Sequence, residues 1–163
     1  MKAFGLFLIV LCCSLEGFSL SAKLSARVRM LEETLSLIQT IRRELILTHA
    51  SCTRILEQIK GKKDSPFIQA VCQLCKQYPF PQAWRQTAAE SLTLLTEEQR
   101  EVASSIGTIL GNGDLRSQEE ALQQCEKLLE AFIKSEKENT RTHGKLYGSL
   151  GILTGLMAAV ILI

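Results

Sequence analysis

The last eighteen residues of the chain, 146–163 (LYGSLGILTGLMAAVILI), carry no charged side chain. A helix of that length reaches about 27 Å, just enough for the hydrocarbon core of a bilayer. A second apolar stretch, residues 3–22, lies near the start of the chain, and only Glu16 interrupts it with a charge. Hydrophobic residues make up 46% of the chain, high for a soluble protein, and the excess sits in these two segments. Removing them leaves about 120 residues, enough for one modest helical core. The expected organisation is a transmembrane helix over 3–22, a helical domain over 23–144 and a second transmembrane helix over 146–163.

The C-terminal segment also has a packing pattern. Gly144, Gly148, Gly151 and Gly155 are spaced by four, three and four, and Ala159 continues the series. In a helix they share one face, where small residues let another helix approach closely in lipid. Gly148, Gly151 and Gly155 are the candidate packing residues. Their partner is either residues 3–22 of the same chain or another subunit.

The N-terminal segment fits two readings equally. As a whole it is long enough to span, but its charge-free run stops before Glu16. That shorter run suits a signal-peptide core, with Ser19-Leu20-Ser21 as a cleavage site. A carboxylate at the middle of a membrane helix costs about 2.5–3.5 kcal/mol. Glu16 lies two-thirds along the segment, which favours snorkelling to the interface over pairing inside the membrane. The flanking charges give an orientation. Lys23, Arg27 and Arg29 follow the first segment, and Lys134, Lys137, Arg141 and Lys145 precede the second, against Lys2 alone on the other side. The positive-inside rule then places the middle domain in the cytoplasm, which argues against a cleaved signal.

The middle reads as all-α, a six-helix bundle-like domain. Leu24, Val28, Leu31, Leu35, Ile38 and Leu45 form a stripe of threes and fours over 24–48, as in a long or coiled-coil helix, with Leu37 and Ile41 widening it and Arg42 breaking it. No strong breaker separates this helix from the first apolar segment. Ser51 starts a short second helix through Lys60, with Gly61 as terminator. Ser65-Pro66 opens a third, carrying Phe67, Val71 and Leu74. Tyr78-Pro79-Phe80-Pro81 is a break before a fourth with Ala83, Trp84, Ala88 and Leu92. Thr96 and Gln99 make a capping box for a fifth, with Val102, Ile106 and Leu110. After the turn Gly111-Asn112-Gly113-Asp114, a sixth runs from about Ser117 through Leu122, Cys125, Leu129, Phe132 and Ile133, feeding into the C-terminal segment.

Nothing in the chain reads as a catalyst. Phosphate-binding, zinc-protease and nucleophile-elbow motifs are absent. Gly111-x-Gly113 lacks a third glycine and a preceding strand, so it reads as a turn. Cys72 and Cys75 stand at i and i+3 with no second pair, which makes them core cysteines rather than zinc ligands. His49 and His143 are far apart in sequence. The net charge of +2, with Lys and Arg interleaved among Glu, argues against nucleic acid. No enzyme activity, cofactor or metal is expected.

Both ends also resemble a known family. Gly5, Leu8-Ile9-Val10, Cys13-Ser14 and Gly17-Phe18, followed by Leu24, Arg27 and Leu31, are similar to the N-terminus of stage III sporulation protein AB. Lys145-Leu146-Tyr147, Leu150-Gly151, Gly155-Leu156 and Val160-Ile161-Leu162-Ile163 resemble that family's C-terminus. Ala83-Trp84 and Leu110-Gly111-x-x-Asp114-x-x-x-Gln118 match internal landmarks. The chain departs from the family pattern L-G-x-S-D-R-E-N-Q at Gly113, Leu115, Arg116 and Ser117.

The resemblance implies a subunit of the secretion-like channel between mother cell and forespore. It implies a two-pass protein of the mother-cell membrane around the forespore. The family's soluble part is similar to the cytoplasmic domain of the platform protein of type II secretion and type IV pilus systems. A partner ATPase, stage III sporulation protein AA-like, is implied by analogy, together with other membrane channel subunits and a homo-oligomer as an option. Leu110, Gly111, Asp114 and Gln118 become the candidate interaction residues. The competing expectation is an exported helical binding protein whose N-terminus is a cleaved signal peptide.

Overall fold

A computed structural model describes residues 2–48, 51–62, 65–111 and 114–162. Side chains are described for Ser19, for most of 21–142 and for Leu153 and Met157. The described residues form six α-helices and no strand: α1 Lys2–Thr48, α2 Cys52–Lys62, α3 Pro66–Leu74, α4 Phe80–Ser91, α5 Glu97–Gly111 and α6 Leu115–Leu162. The all-α, six-helix expectation holds.

The local signals act as their chemistry dictates, with three differences. Thr96 and Gln99 form the reciprocal capping box: the Thr96 amide donates to Gln99 Oε1 at 3.1 Å, and the Gln99 amide donates to Thr96 Oγ1 at 3.4 Å. Two donors that a helix N-terminus leaves unmet are thereby satisfied. Pro66 occupies the first turn of α3 behind Ser65, whose extended backbone (φ −108°, ψ 119°) sets the entry.

The first difference is Gly61, which lies inside α2 rather than ending it. It has no left-handed φ, and a Cβ there would meet nothing within 4 Å. The second is at α4, which begins at Phe80 with Pro79 as its N-cap and Pro81 in its first turn. Those prolines start the helix because the first-turn amides have no intrahelical partner to lose. The third is α6, which begins at Leu115, two residues before the expected Ser117.

The chain divides into two compact units, residues 30–133 and residues 1–29 with 134–163. In the first, α4 packs mainly on α5, α3 on α4 and α2 on α3. The predicted stripe of α1 contributes fully buried Leu31, Ile38 and Ile41, with Leu37 and Leu45 beside them. Leu35 is only half-buried. Ile55, Leu56 and Ile59 of α2, Ile68 and Val71 of α3, Ile106 of α5 and Leu122 and Leu129 of α6 complete this core.

Trp84 sits in it at 1% exposure. Its indole N–H donates to the Ala103 carbonyl at 2.9 Å. Phe67 meets it edge-on at 5.0 Å and Phe80 tilts against it at 5.8 Å. Gly107 of α5 faces the same ring: a Cβ there would lie 2.7 Å from Trp84 Cβ.

Arg42, the break in the α1 stripe, has a partner. Its Nε donates to Glu126 Oε1 of α6 at 2.7 Å, where the Glu126 side chain is 8% exposed. In the second unit Arg27 Nη1 lies 3.4 Å from Glu136 Oε1, also nearly buried. A buried carboxylate without its cation is strongly destabilising, so each arginine belongs to the fold.

Residues 3–22 and 146–162 are helical as parts of α1 and α6, but apart from Ser19, Ser21, Ala22, Leu153 and Met157 their side chains lie outside the described residues, as does Ile163 altogether. Among the described residues no helix is long and apolar enough to cross a membrane, so the flanking transmembrane helices are not shown.

Candidate functional site

The four residues singled out between α5 and α6 meet at one corner. Leu110 is buried near the end of α5. Its carbonyl, one of those a helix C-terminus leaves unmet, accepts from the Cys52 thiol at 2.9 Å and from Gln118 Nε2 at 3.4 Å. Side chains from α2 and α6 therefore close the end of α5. Gly111 ends α5 against Pro81, and a Cβ on it would lie 2.5 Å from Pro81 Cγ. Only glycine fits there without displacing the first turn of α4.

Asp114 precedes α6 and caps it. Its carbonyl accepts the Gln118 amide at 3.0 Å, and its carboxylate accepts the Ser117 hydroxyl. That hydroxyl, with backbone amides of the first turn, holds the carboxyl below the usual carboxylate range, although the side chain is fully exposed. Asn112 and Gly113 lie outside the described residues.

The structure thus brings Leu110, Gly111, Asp114 and Gln118 together and gives each a local task. Among the described residues the corner shows to solvent Gly111, Asp114, Ser117, Leu115 at 43% exposure, and Arg116 paired with Glu120 at 3.2 Å. An exposed pair one helical turn apart contributes little stability. Two participants were not legible. Pro81 read as part of a helix break, and Cys52 carried no reading of its own. The only signal for Cys52 was its place at the start of a short helix; nothing local pointed it at residue 110.

Gly148, Gly151 and Gly155 lie in uninterrupted α6, so their spacing keeps them on one side of a real helix. Their surroundings fall outside the described residues, as does His49.

The remaining candidates offer less chemistry. Cys72 and Cys75 are half-buried, and both pack against the core beside Val71. Burial pushes both thiols above the usual range, the opposite of a reactive cysteine. Cys52 and Cys125 are raised for the same reason. Among the described residues no group of His, Cys, Asp and Glu has the arrangement of a metal site.

A cavity of about 420 Å³ opens among α1, α3, α4 and α5, lined by Met30, Leu37, Phe67, Trp84 and Leu92 with Glu33, Ser65 and Ser91. A second, polar hollow of about 630 Å³ lies along α4 and α5, with Arg85, Arg100, Glu97 and Glu101.

No curated protein and no solved structure matches the chain. The family model described as stage III sporulation protein AB does, over residues 2–163. That match takes in the α5–α6 corner, the Trp84 core and both long terminal helices, and the chain therefore belongs to the stage III sporulation protein AB family and is a sporulation protein.

Proposed function

We propose that this chain is a membrane-anchored scaffold subunit of a secretion-like channel between mother cell and forespore, and that it couples a cytoplasmic ATPase to the membrane complex. The observation that carries the reading is the family match along the whole chain. The sequence supports it at both ends, where the apolar residues 3–22 and 146–162 fall in the two long helices α1 and α6. In this reading both stretches span the mother-cell membrane around the forespore. The basic flanks keep the domain between them in the cytoplasm. Gly148, Gly151 and Gly155 pack against residues 3–22, another channel subunit or a second copy of the chain.

In this reading the chain acts by binding other proteins, in keeping with its family and with a sequence that carries no nucleotide-binding motif. Energy then comes from another chain, a stage III sporulation protein AA-like ATPase. That assignment rests on fold-level analogy with secretion platform proteins.

The corner between α5 and α6 is the proposed contact. Leu110, Gly111 and Gln118 fix its shape from inside, while Asp114 caps α6 at the surface. Co-purification of the full chain in detergent with the ATPase tests this. Retention by the intact chain, and loss on Gly111→Val with the helical content kept, is the expected result. Absence of binding by the intact chain across salt and nucleotide conditions would remove the ATPase from the account.

A further inference from the structure

α6 carries a basic stripe where its second half begins. Lys134, Lys137, Arg141 and Lys145 stand at steps of three, four and four in one uninterrupted helix. At 3.6 residues per turn these steps keep all four on one face. Lys134, Lys137 and Arg141 are exposed. Of the nearby acids, Glu136 turns away to Arg27 in the same unit. Glu138 is the one acid within the stripe. Immediately after Lys145 the charge-free run 146–163 begins.

We infer that the membrane-proximal end of this stripe, Arg141 and Lys145, binds the headgroups of anionic phospholipids. The inference rests on the anchoring of 146–163 proposed above. The charge is complementary, and the helix geometry sets the depth. With Lys145 at the edge of the hydrocarbon, Arg141 stands about 6 Å above it, Lys137 about 12 Å and Lys134 about 16 Å. The headgroup layer is about 5–7 Å deep on each side. Arg141 and Lys145 are therefore within it. Lys137 is beyond it by less than a Debye length of about 8–10 Å, and Lys134 by a full one. Lipid binding must accordingly weaken in that order along the stripe. An acidic protein lying along the same face would give Lys134 as much weight as Arg141.

The test reconstitutes the full chain in mixed vesicles with spin-labelled phosphatidylglycerol or phosphatidylcholine and measures the motionally restricted lipid fraction. The expected result is a restricted fraction for both lipids, with phosphatidylglycerol preferred and the preference falling with salt. Arg141→Gln and Lys145→Gln each reduce the preference by about fivefold, the effect of one surface charge. Lys134→Gln changes it by less than twofold. Equal fractions for the two lipids overturn the headgroup site while leaving the anchor in place. A loss on Lys134→Gln as large as that on Arg141→Gln also overturns it, in favour of an acidic protein partner. No restricted fraction with either lipid refutes the anchor, and the headgroup site with it.

Discussion

Gly107 and Gly61 are both helical glycines, and the structure predicts opposite outcomes when each becomes alanine. Alanine is better than glycine inside a helix by about 1 kcal/mol, so both substitutions begin with that gain. At Gly61 nothing lies within 4 Å of the new Cβ, and the gain survives. Near the end of α2 it is worth about 0.5–1 kcal/mol. At Gly107 the Cβ would lie 2.7 Å from Trp84 Cβ and 2.9 Å from Cγ and Cδ1. Those atoms belong to the root of a buried side chain, which cannot swing aside.

Either α5 moves off α4 or Trp84 shifts, and both strain the 2.9 Å bond from its indole to Ala103. Overpacking costs about 1–3 kcal/mol, and weakening a buried hydrogen bond about 1 kcal/mol more. After the helix-propensity gain, Gly107→Ala is net destabilising by about 1–3 kcal/mol. For a unit of this size that is a fall in Tm of roughly 5–20 °C. Thermal unfolding by circular dichroism at 222 nm, with near-UV signal reporting Trp84, reads both variants. A Gly107→Ala protein as stable as the parent, or less stable Gly61→Ala than Gly107→Ala, would refute the packing described between α4 and α5.

Three further outcomes follow from named contacts. Arg42→Met leaves the Glu126 carboxylate buried without its cation and should cost about 3–5 kcal/mol, whereas Arg42→Met with Glu126→Leu should recover most of it; chemical denaturation of the two variants compares them. Asp114 has a carboxyl held below its ordinary pKa, so its contribution is present above the ordinary value of about 4 and lost as pH falls through the folded value. The stability difference between the parent and Asp114→Ala should therefore be constant from pH 7 to 5 and shrink below about pH 4 in an unfolding series. Cys52, Cys72, Cys75 and Cys125 carry thiols raised by burial. They should alkylate with iodoacetamide more slowly than free cysteine at pH 7.5, and unfolding should abolish the difference.

The elements set by neighbours in sequence were legible. The Thr96–Gln99 capping box, the Ser65-Pro66 start and the apolar stripe of α1 depend on residues three or four apart, and the structure shows each of them. What depended on distant partners was not. Arg42 was visible only as a fault in a stripe, because Glu126 lies 84 positions away. Gly61 and Gly107 look alike in sequence, and only Trp84 separates them. Tyr78-Pro79-Phe80-Pro81 read as a break although Pro79 and Pro81 start α4, since proline marks a helix start and a helix stop with the same letter. At the corner, the motif residues could be named, but whether they face a partner or the protein could not. Cys52 and Pro81, which decide that for Leu110 and Gly111, lie on other helices.

The central claim is that the helical domain lies on the cytoplasmic side of a membrane that both ends of the chain cross. Protease accessibility in inverted and right-side-out vesicles tests it most directly. The account predicts cleavage between α1 and α6 in inverted vesicles and protection in right-side-out ones, with the terminal fragments remaining in the membrane. Cleavage in right-side-out vesicles alone, or recovery of the chain in the soluble fraction with its N-terminal segment removed, would contradict it and establish the exported protein instead.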